Sequence, residues 1–166
     1  WVARMRESMA RLTPEFSANR AVRQYTEQFY LPAASASRSR AADKGAMARG
    51  IAEAIKALQE KWNSARFGDL TVNTAAQEHA FDAQAYLGEL DPQHIRIELF
   101  ASAPAGSPPV RVEMRREQPL AGSANGFLYR ARVPATRPAS DFTPRMIPHI
   151  DAIAVPMELG LIRWQR

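Results

Sequence analysis

Val2, Met5, Met9 and Leu12 follow one another at steps of three and four, which places them on one stripe of a helix. Thr13 and Pro14 punctuate that pattern. Ser17 is suited to cap a second helix, because its hydroxyl can accept a hydrogen bond from a free N–H of the first turn. Ala18, Val22, Tyr25 and Phe29 then line one face, and Pro32 lies just beyond the expected helix end. The stretch from Ala33 to Ala42, rich in Ala, Ser and Arg, carries no period and reads as a connector. After it Met47, Ile51, Ile55, Leu58 and Trp62, spaced four, four, three and four apart, predict a long amphipathic helix.

Beyond Phe67 and Gly68 the period changes from near 3.6 to 2. Phe81, Ala83, Ala85 and Leu87 alternate with Asp82, Gln84 and Tyr86; Ile95, Ile97 and Leu99 alternate with Arg96 and Glu98. Val110, Val112 and Met114 predict a third strand of this kind, and Phe127, Tyr129, Ala131 and Val133, introduced by Asn125 and Gly126, a fourth. Less regular runs at Leu70–Thr74, Phe142–His149 and Glu158–Trp164 bring the number to about seven. The expected class is therefore α+β. A helical segment of about three helices over residues 1–66 precedes an antiparallel, immunoglobulin-like sandwich over 67–166. The sandwich is expected to hold its own core and to fold without the helices.

Composition narrows the function. A chain of 166 residues without cysteine, 46% hydrophobic and 23% charged, is neither a disulfide-stapled miniprotein nor a disordered tail. Its apolar runs are too short to cross a bilayer and no signal peptide is evident, so no membrane partner is expected. Starting at Trp1, already inside an amphipathic pattern, it reads as a piece of something longer. The net charge of +5 is concentrated in residues 1–66, with 12 Lys+Arg against 6 Asp+Glu, whereas residues 67–166 hold 10 against 11. Nineteen of the 22 basic residues are arginines scattered along the chain with no recognition motif, so no nucleic-acid partner is expected either.

No catalytic constellation stands out. His79, His94 and His149 lie at wide, unrelated spacings with no thiol to join them, so no metal site is expected. The eight glycines form neither a dinucleotide nor a phosphate loop. Glu89 and Asp91 flank Leu90 before Pro92, where acidic residues shape a turn. Trp62 falls on the apolar stripe of its helix. Tyr86 is the one tyrosine that the alternation turns outward, which makes it the candidate carbohydrate contact.

Particular words in the sequence resemble the α-glucan phosphorylases, in the bacterial branch that carries a β-rich C-terminal extension. Within Trp1–Ala34, residues Phe16, Ser17, Asn19, Arg20, Val22 and Tyr25 are similar to a family pattern written F-S-x-x-R-x-V-x-x-Y. Gly88, Glu89 and Leu90 resemble the same branch, as does the run from Thr143 through Pro148, His149, Pro156 and Glu158 to Gly160, Leu161, Ile162 and Trp164. Pro144 departs from the usual apolar residue of its strand, which puts the pairing of Phe142–His149 in question.

The resemblance implies a C-terminal fragment of a cytoplasmic enzyme that phosphorolyses α-1,4-glucan to glucose 1-phosphate. It implies pyridoxal phosphate in the parent, on a lysine that precedes Trp1. Lys44, Lys56 and Lys61 match no cofactor motif, so no cofactor is expected in the fragment, and no catalytic residue carries over. The expected partners are the rest of the phosphorylase chain, α-glucan, and a second copy through the N-terminal helices. The rival reading is a carbohydrate-binding sandwich with a helical stalk.

Overall fold

A computed structural model describes residues 1–103 and 107–166. The chain divides into two compact units, Trp1–Ile51 and Ala52–Arg166.

The first unit is helical. Helix α1 spans Val2–Glu15 with Pro14 in its last turn, and ends as the Phe16 N–H reaches the Leu12 carbonyl at 2.8 Å. Ser17 caps α2 (Ala18–Tyr25), its Oγ accepting from the Arg20 N–H at 3.3 Å. The chain does not stop at Pro32. Thr26–Tyr30 widens into a single π-turn, closed by the Leu31 N–H on the Thr26 carbonyl, and α3 (Leu31–Lys61) follows directly. A proline cannot donate to a helical ladder, and the wider turn shifts the hydrogen-bonding frame just ahead of it.

The expected connector at Ala33–Ala42 is likewise helical. Alanine is the best helix former and serine and arginine are tolerated; the missing period reflects only that no face is buried there. The real interruption comes at Ala42–Gly45, where Asp43, Lys44 and Gly45 hold φ of 51°, 56° and 78° and divide α3 into two helices. Arg49 donates to the Lys44 carbonyl at 2.6 Å, closing the break.

Among the described residues the second unit holds the end of α3, 3-10 turns at Trp62–Ser64, Pro92–His94 and Ala139–Asp141, and eight strands: β1 (Arg66–Ala75), β2 (Glu78–Tyr86), β3 (Ile95–Ala101), β4 (Val110–Glu113), β5 (Arg115–Pro119), β6 (Gly126–Pro134), β7 (Thr143–Pro148) and β8 (Arg163–Trp164). They form two antiparallel sheets, β1-β2-β6-β5 and β4-β3-β7-β8. The inward residues of β2 (Phe81, Ala83, Ala85), β3 (Ile97, Leu99), β6 (Tyr129, Ala131, Val133) and β7 (Met146) make one core. Alternation is a sound guide in β2 and β6, which bury one face, whereas β7 is buried on both faces from Pro144 to Pro148.

Three expectations change. The run beginning at Val110 does not stay in one sheet: Met114, buried and donating its N–H to the Ile97 carbonyl at 2.8 Å, is a corner beyond which β5 joins the other sheet. The five residues of β5 are all exposed, so they carry no apolar signal. Of the run Glu158–Trp164, only Arg163–Trp164 is strand, although Leu159 is buried in the core. Pro144 is fully buried inside β7 and keeps the register, opposite Leu99, while its carbonyl accepts from the Gln165 N–H at 2.9 Å.

Strand structure begins at Arg66, but the core begins earlier. Leu58 and Trp62, 3% and 6% exposed, belong to it, with Ile55 packed against it. The junction is fixed by hydrogen bonds. Ser64 Oγ donates to the Lys61 carbonyl at 2.8 Å and accepts from the Glu89 N–H at 3.0 Å. Gly88, at φ +59°, lies so close that a Cβ there would collide with Ser64 Oγ. Asn125 Nδ2 then donates to the carbonyls of Gly88 and Leu90, at 2.9 and 2.8 Å, tying the β5–β6 turn to the same place.

Asp82 on β2 faces Arg130 on β6 and accepts two hydrogen bonds from its guanidinium, at 2.6 and 2.8 Å. Those bonds hold the Asp82 carboxyl below its ordinary value of 3.8. A depressed carboxyl contributes stability that is present above the unfolded-state value and is lost as pH falls through the folded-state one. The urea midpoint of the wild type should therefore exceed that of Asp82→Asn near neutrality. The gap should close as pH drops below about 4, the ordinary carboxylate range. Parallel urea titrations across that range measure it.

Candidate functional site

The two sheets carry two free edges on one side of the sandwich, β1 and β8. A cleft of about 630 Å³ opens there, lined by residues 66–68 of β1, residues 160–166 and Trp62. Its shape follows from a bulge: the β1–β2 register shifts between Phe67 and Leu70, and bulges free a backbone group and re-aim side chains. The Gly68 carbonyl accepts from Gln165 Nε2 at 2.9 Å, a bond that joins one sheet edge to the other. Arg163 Nη2 donates to the Trp62 carbonyl at 3.2 Å. Arg66, Arg163 and Arg166 all line the cleft, and no carboxylate side chain does.

One wall is held from behind. On the outer face of the second sheet Arg145 Nε donates to Glu98 Oε1 at 2.6 Å, and both residues are buried. The Arg145 guanidinium carbon sits 4.2 Å from the Phe100 ring centre and 5.2 Å from that of Trp164. Phe100 and Trp164 themselves meet edge to face at 5.5 Å. This stack sets the angle of Trp164, which is 38% exposed.

Tyr86 sits beside the cleft, not in it. Its ring packs against Gly68 and Gly126, where an added Cβ would approach to 2.8 and 2.9 Å, and the Arg66 guanidinium carbon lies over it at 4.0 Å. A large ring over glycines is a common way to restore packing on an edge strand. The histidines are held separately. His79 bridges Thr74 Oγ1 (2.7 Å) and the Arg137 carbonyl (2.9 Å), an arrangement that makes Nε2 the donor and Nδ1 the acceptor of the Thr74 hydroxyl. His149 faces Arg96 at 2.9 Å and His94 is exposed. Among the described residues no three His, Asp or Glu side chains gather as a metal would require. Asp91 Oδ1 accepts from the Gln93 N–H at 2.9 Å, shaping the turn before β3.

The three lysines lie apart from one another. Lys61 borders a hollow of about 120 Å³ whose other charged walls are Glu89 and Asp91, the wrong sign for phosphate. Lys56 is exposed beside Glu60 at 3.9 Å, and Lys44 lies in the α3 break. No helix among the described residues is long and apolar enough to cross a membrane.

Residues 61–166 match the family described as glycogen phosphorylase C-terminal domain. The chain belongs to that family. Along 99% of its length it is similar, at 25% identity, to a maltodextrin phosphorylase of Thermococcus litoralis. Along 98% it is similar, at 27% identity, to a glycogen phosphorylase of Mycobacterium tuberculosis. A glycogen phosphorylase of Mycobacterium bovis is 26% identical over the same share. The chain spans only 20% of the length of these relatives. The family match covers the sandwich and the turn that enters it, while the similarity to whole phosphorylases runs on through α1 and α2. A free-standing sugar-binding module with a helical stalk is not favoured by such a match.

In this phosphorylase C-terminal domain the cleft escaped the sequence pattern because its walls lie about 100 residues apart. Arg66 and Arg163 carry no periodic signal. The one local hint is Gly68, a glycine inside a strand, which marks a bulge.

Proposed function

We propose that the chain is the C-terminal part of a cytoplasmic α-glucan phosphorylase, and that it serves there as an accessory and structural region that holds no catalytic residue. The observation that carries this reading is the similarity to phosphorylases along 98–99% of the chain, together with the 20% of their length that it spans. Phosphorolysis of glucan, and the pyridoxal phosphate that the family resemblance attaches to it, then belong to the remaining length of the parent. In this reading Tyr86 fixes Arg66, and glucan is held elsewhere in the parent.

The helices support the same reading. Met9, Val22, Tyr25 and Phe29 are between 51% and 66% exposed. Burying a side chain of this size contributes roughly 1.5–3 kcal/mol, and contiguous apolar surface is uncommon on soluble monomers. The stripes are covered by the parent chain, and a two-fold pairing of the isolated helices is the alternative.

The test has two parts. Release of phosphate from glucose 1-phosphate with a maltodextrin acceptor should be seen with the full-length parent and not with residues 1–166; release by the chain alone overturns the reading. In the parent, Val22→Asp with Phe29→Asp should lower the melting temperature. An unchanged parent, beside an isolated chain that sediments as a dimer only when Val22 and Phe29 are intact, assigns the stripe to self-association instead.

A further inference from the structure

We propose that the cleft between β1 and β8 is a binding site for a phosphate monoester of a ring-bearing small molecule. The inference does not depend on the parent's reaction. It starts from how the arginines of this unit are used. Arg96, Arg130, Arg132, Arg137 and Arg145 each reach a carboxylate, on Glu113, Asp82, Glu78, Asp141 and Glu98 respectively. Arg66, Arg163 and Arg166 pair with no carboxylate among the described residues, and neither do Arg111, Arg115 and Arg116; the first three are set apart by lining the cleft together. Residues 67–166 hold 10 basic against 11 acidic side chains, so this is a local excess and not a generally basic surface.

Arg163 supplies a second observation. Its Nε is buried and has no hydrogen-bond acceptor, although Nη2 is anchored on the Trp62 carbonyl. A buried donor left without an acceptor is unfavourable. That Nε is shut off from the cleft, so an anionic oxygen entering would meet the remaining N–H groups of a guanidinium already anchored through Nη2. Arg66 is fixed in another way, by its stacking over Tyr86 at 4.0 Å, which leaves its N–H groups free to donate. Forked guanidinium donors match the paired oxygens of phosphate.

The aromatic walls favour an organic ester over bare phosphate. Trp62 and Trp164 line the cleft, and Trp164 is oriented by Phe100 and Arg145 while staying partly exposed. The volume of about 630 Å³ is within the range of roughly 300–1,000 Å³ typical of small-molecule sites. A phosphate on the arginines with its ring against Trp164 uses both sets of groups.

Calorimetric titration of the 166-residue chain at low ionic strength tests this, with phenyl phosphate, inorganic phosphate and maltotriose as probes. Phenyl phosphate should bind saturably with one site per chain, and more tightly than inorganic phosphate. Arg66→Gln should weaken it by about tenfold or more, the cost of a lost charge-assisted hydrogen bond. Trp164→Ala should bring phenyl phosphate to the affinity of inorganic phosphate. Arg111→Gln, on β4, should change nothing. Arg66 is exposed on an edge strand, and a melting curve on each variant confirms that the fold is kept. Absence of saturable binding, an affinity unaltered by Arg66→Gln, or maltotriose binding as tightly as phenyl phosphate would each overturn the proposal.

Discussion

Trp62→Ala will lower the unfolding free energy of the second unit by about 3–5 kcal/mol, the range for emptying a buried aromatic site. Trp62 is 6% exposed and packs in the core with Leu58 and, at its margin, Ile55. Its carbonyl also anchors Arg163. The site cannot readily collapse, because Ser64 two residues on is clamped between the Lys61 carbonyl, the Glu89 N–H and the close backbone of Gly88. Truncation should follow the same logic. Residues 52–166 should melt cooperatively, whereas residues 68–166, lacking Leu58 and Trp62, should lose most of that stability. Denaturant midpoints of the two chains, compared at equal protein concentration, measure the difference; equal midpoints would show that the helix end only rests on the core.

Arg145→Met should cost a similar amount, about 3–5 kcal/mol, for an electrostatic reason. The Glu98 and Arg145 side chains are 8% and 7% exposed, so removing the cation strands a carboxylate out of water. It also removes the guanidinium from the faces of Phe100 and Trp164. If the stranded charge is the main cost, Glu98→Leu combined with Arg145→Met should recover much of the loss, since a hydrophobic replacement of a buried pair is often neutral. A double-mutant cycle by urea denaturation gives the coupling directly.

What could be read from the sequence follows from how each element is buried. Strands β2, β3 and β6 were visible because Phe81, Ile97 and Tyr129 and their neighbours alternate between core and exterior. Strand β5 was invisible because Arg115, Arg116, Glu117, Gln118 and Pro119 bury no face. The helix through Ala33–Ala42 was hidden for the same reason: with no apolar stripe, only propensity marks it. The π-turn before Pro32 has no composition of its own. Ser17, by contrast, announces its cap by its chemistry alone. The family was legible in short words such as Phe16-Ser17 and Gly88-Glu89-Leu90, whereas the cleft is made by a bulge and two distant edges, which no local window contains.

The corner at Met114 has a consequence for local opening. Because β4 borders one sheet and β5 borders the other, residues 110–119 are a single ribbon that forms an edge of both. Peeling either half from its neighbour pulls on the buried Met114 and its bond to Ile97. The amides of β4 and β5 are therefore expected to exchange with deuterium at linked rates, as one cooperative piece.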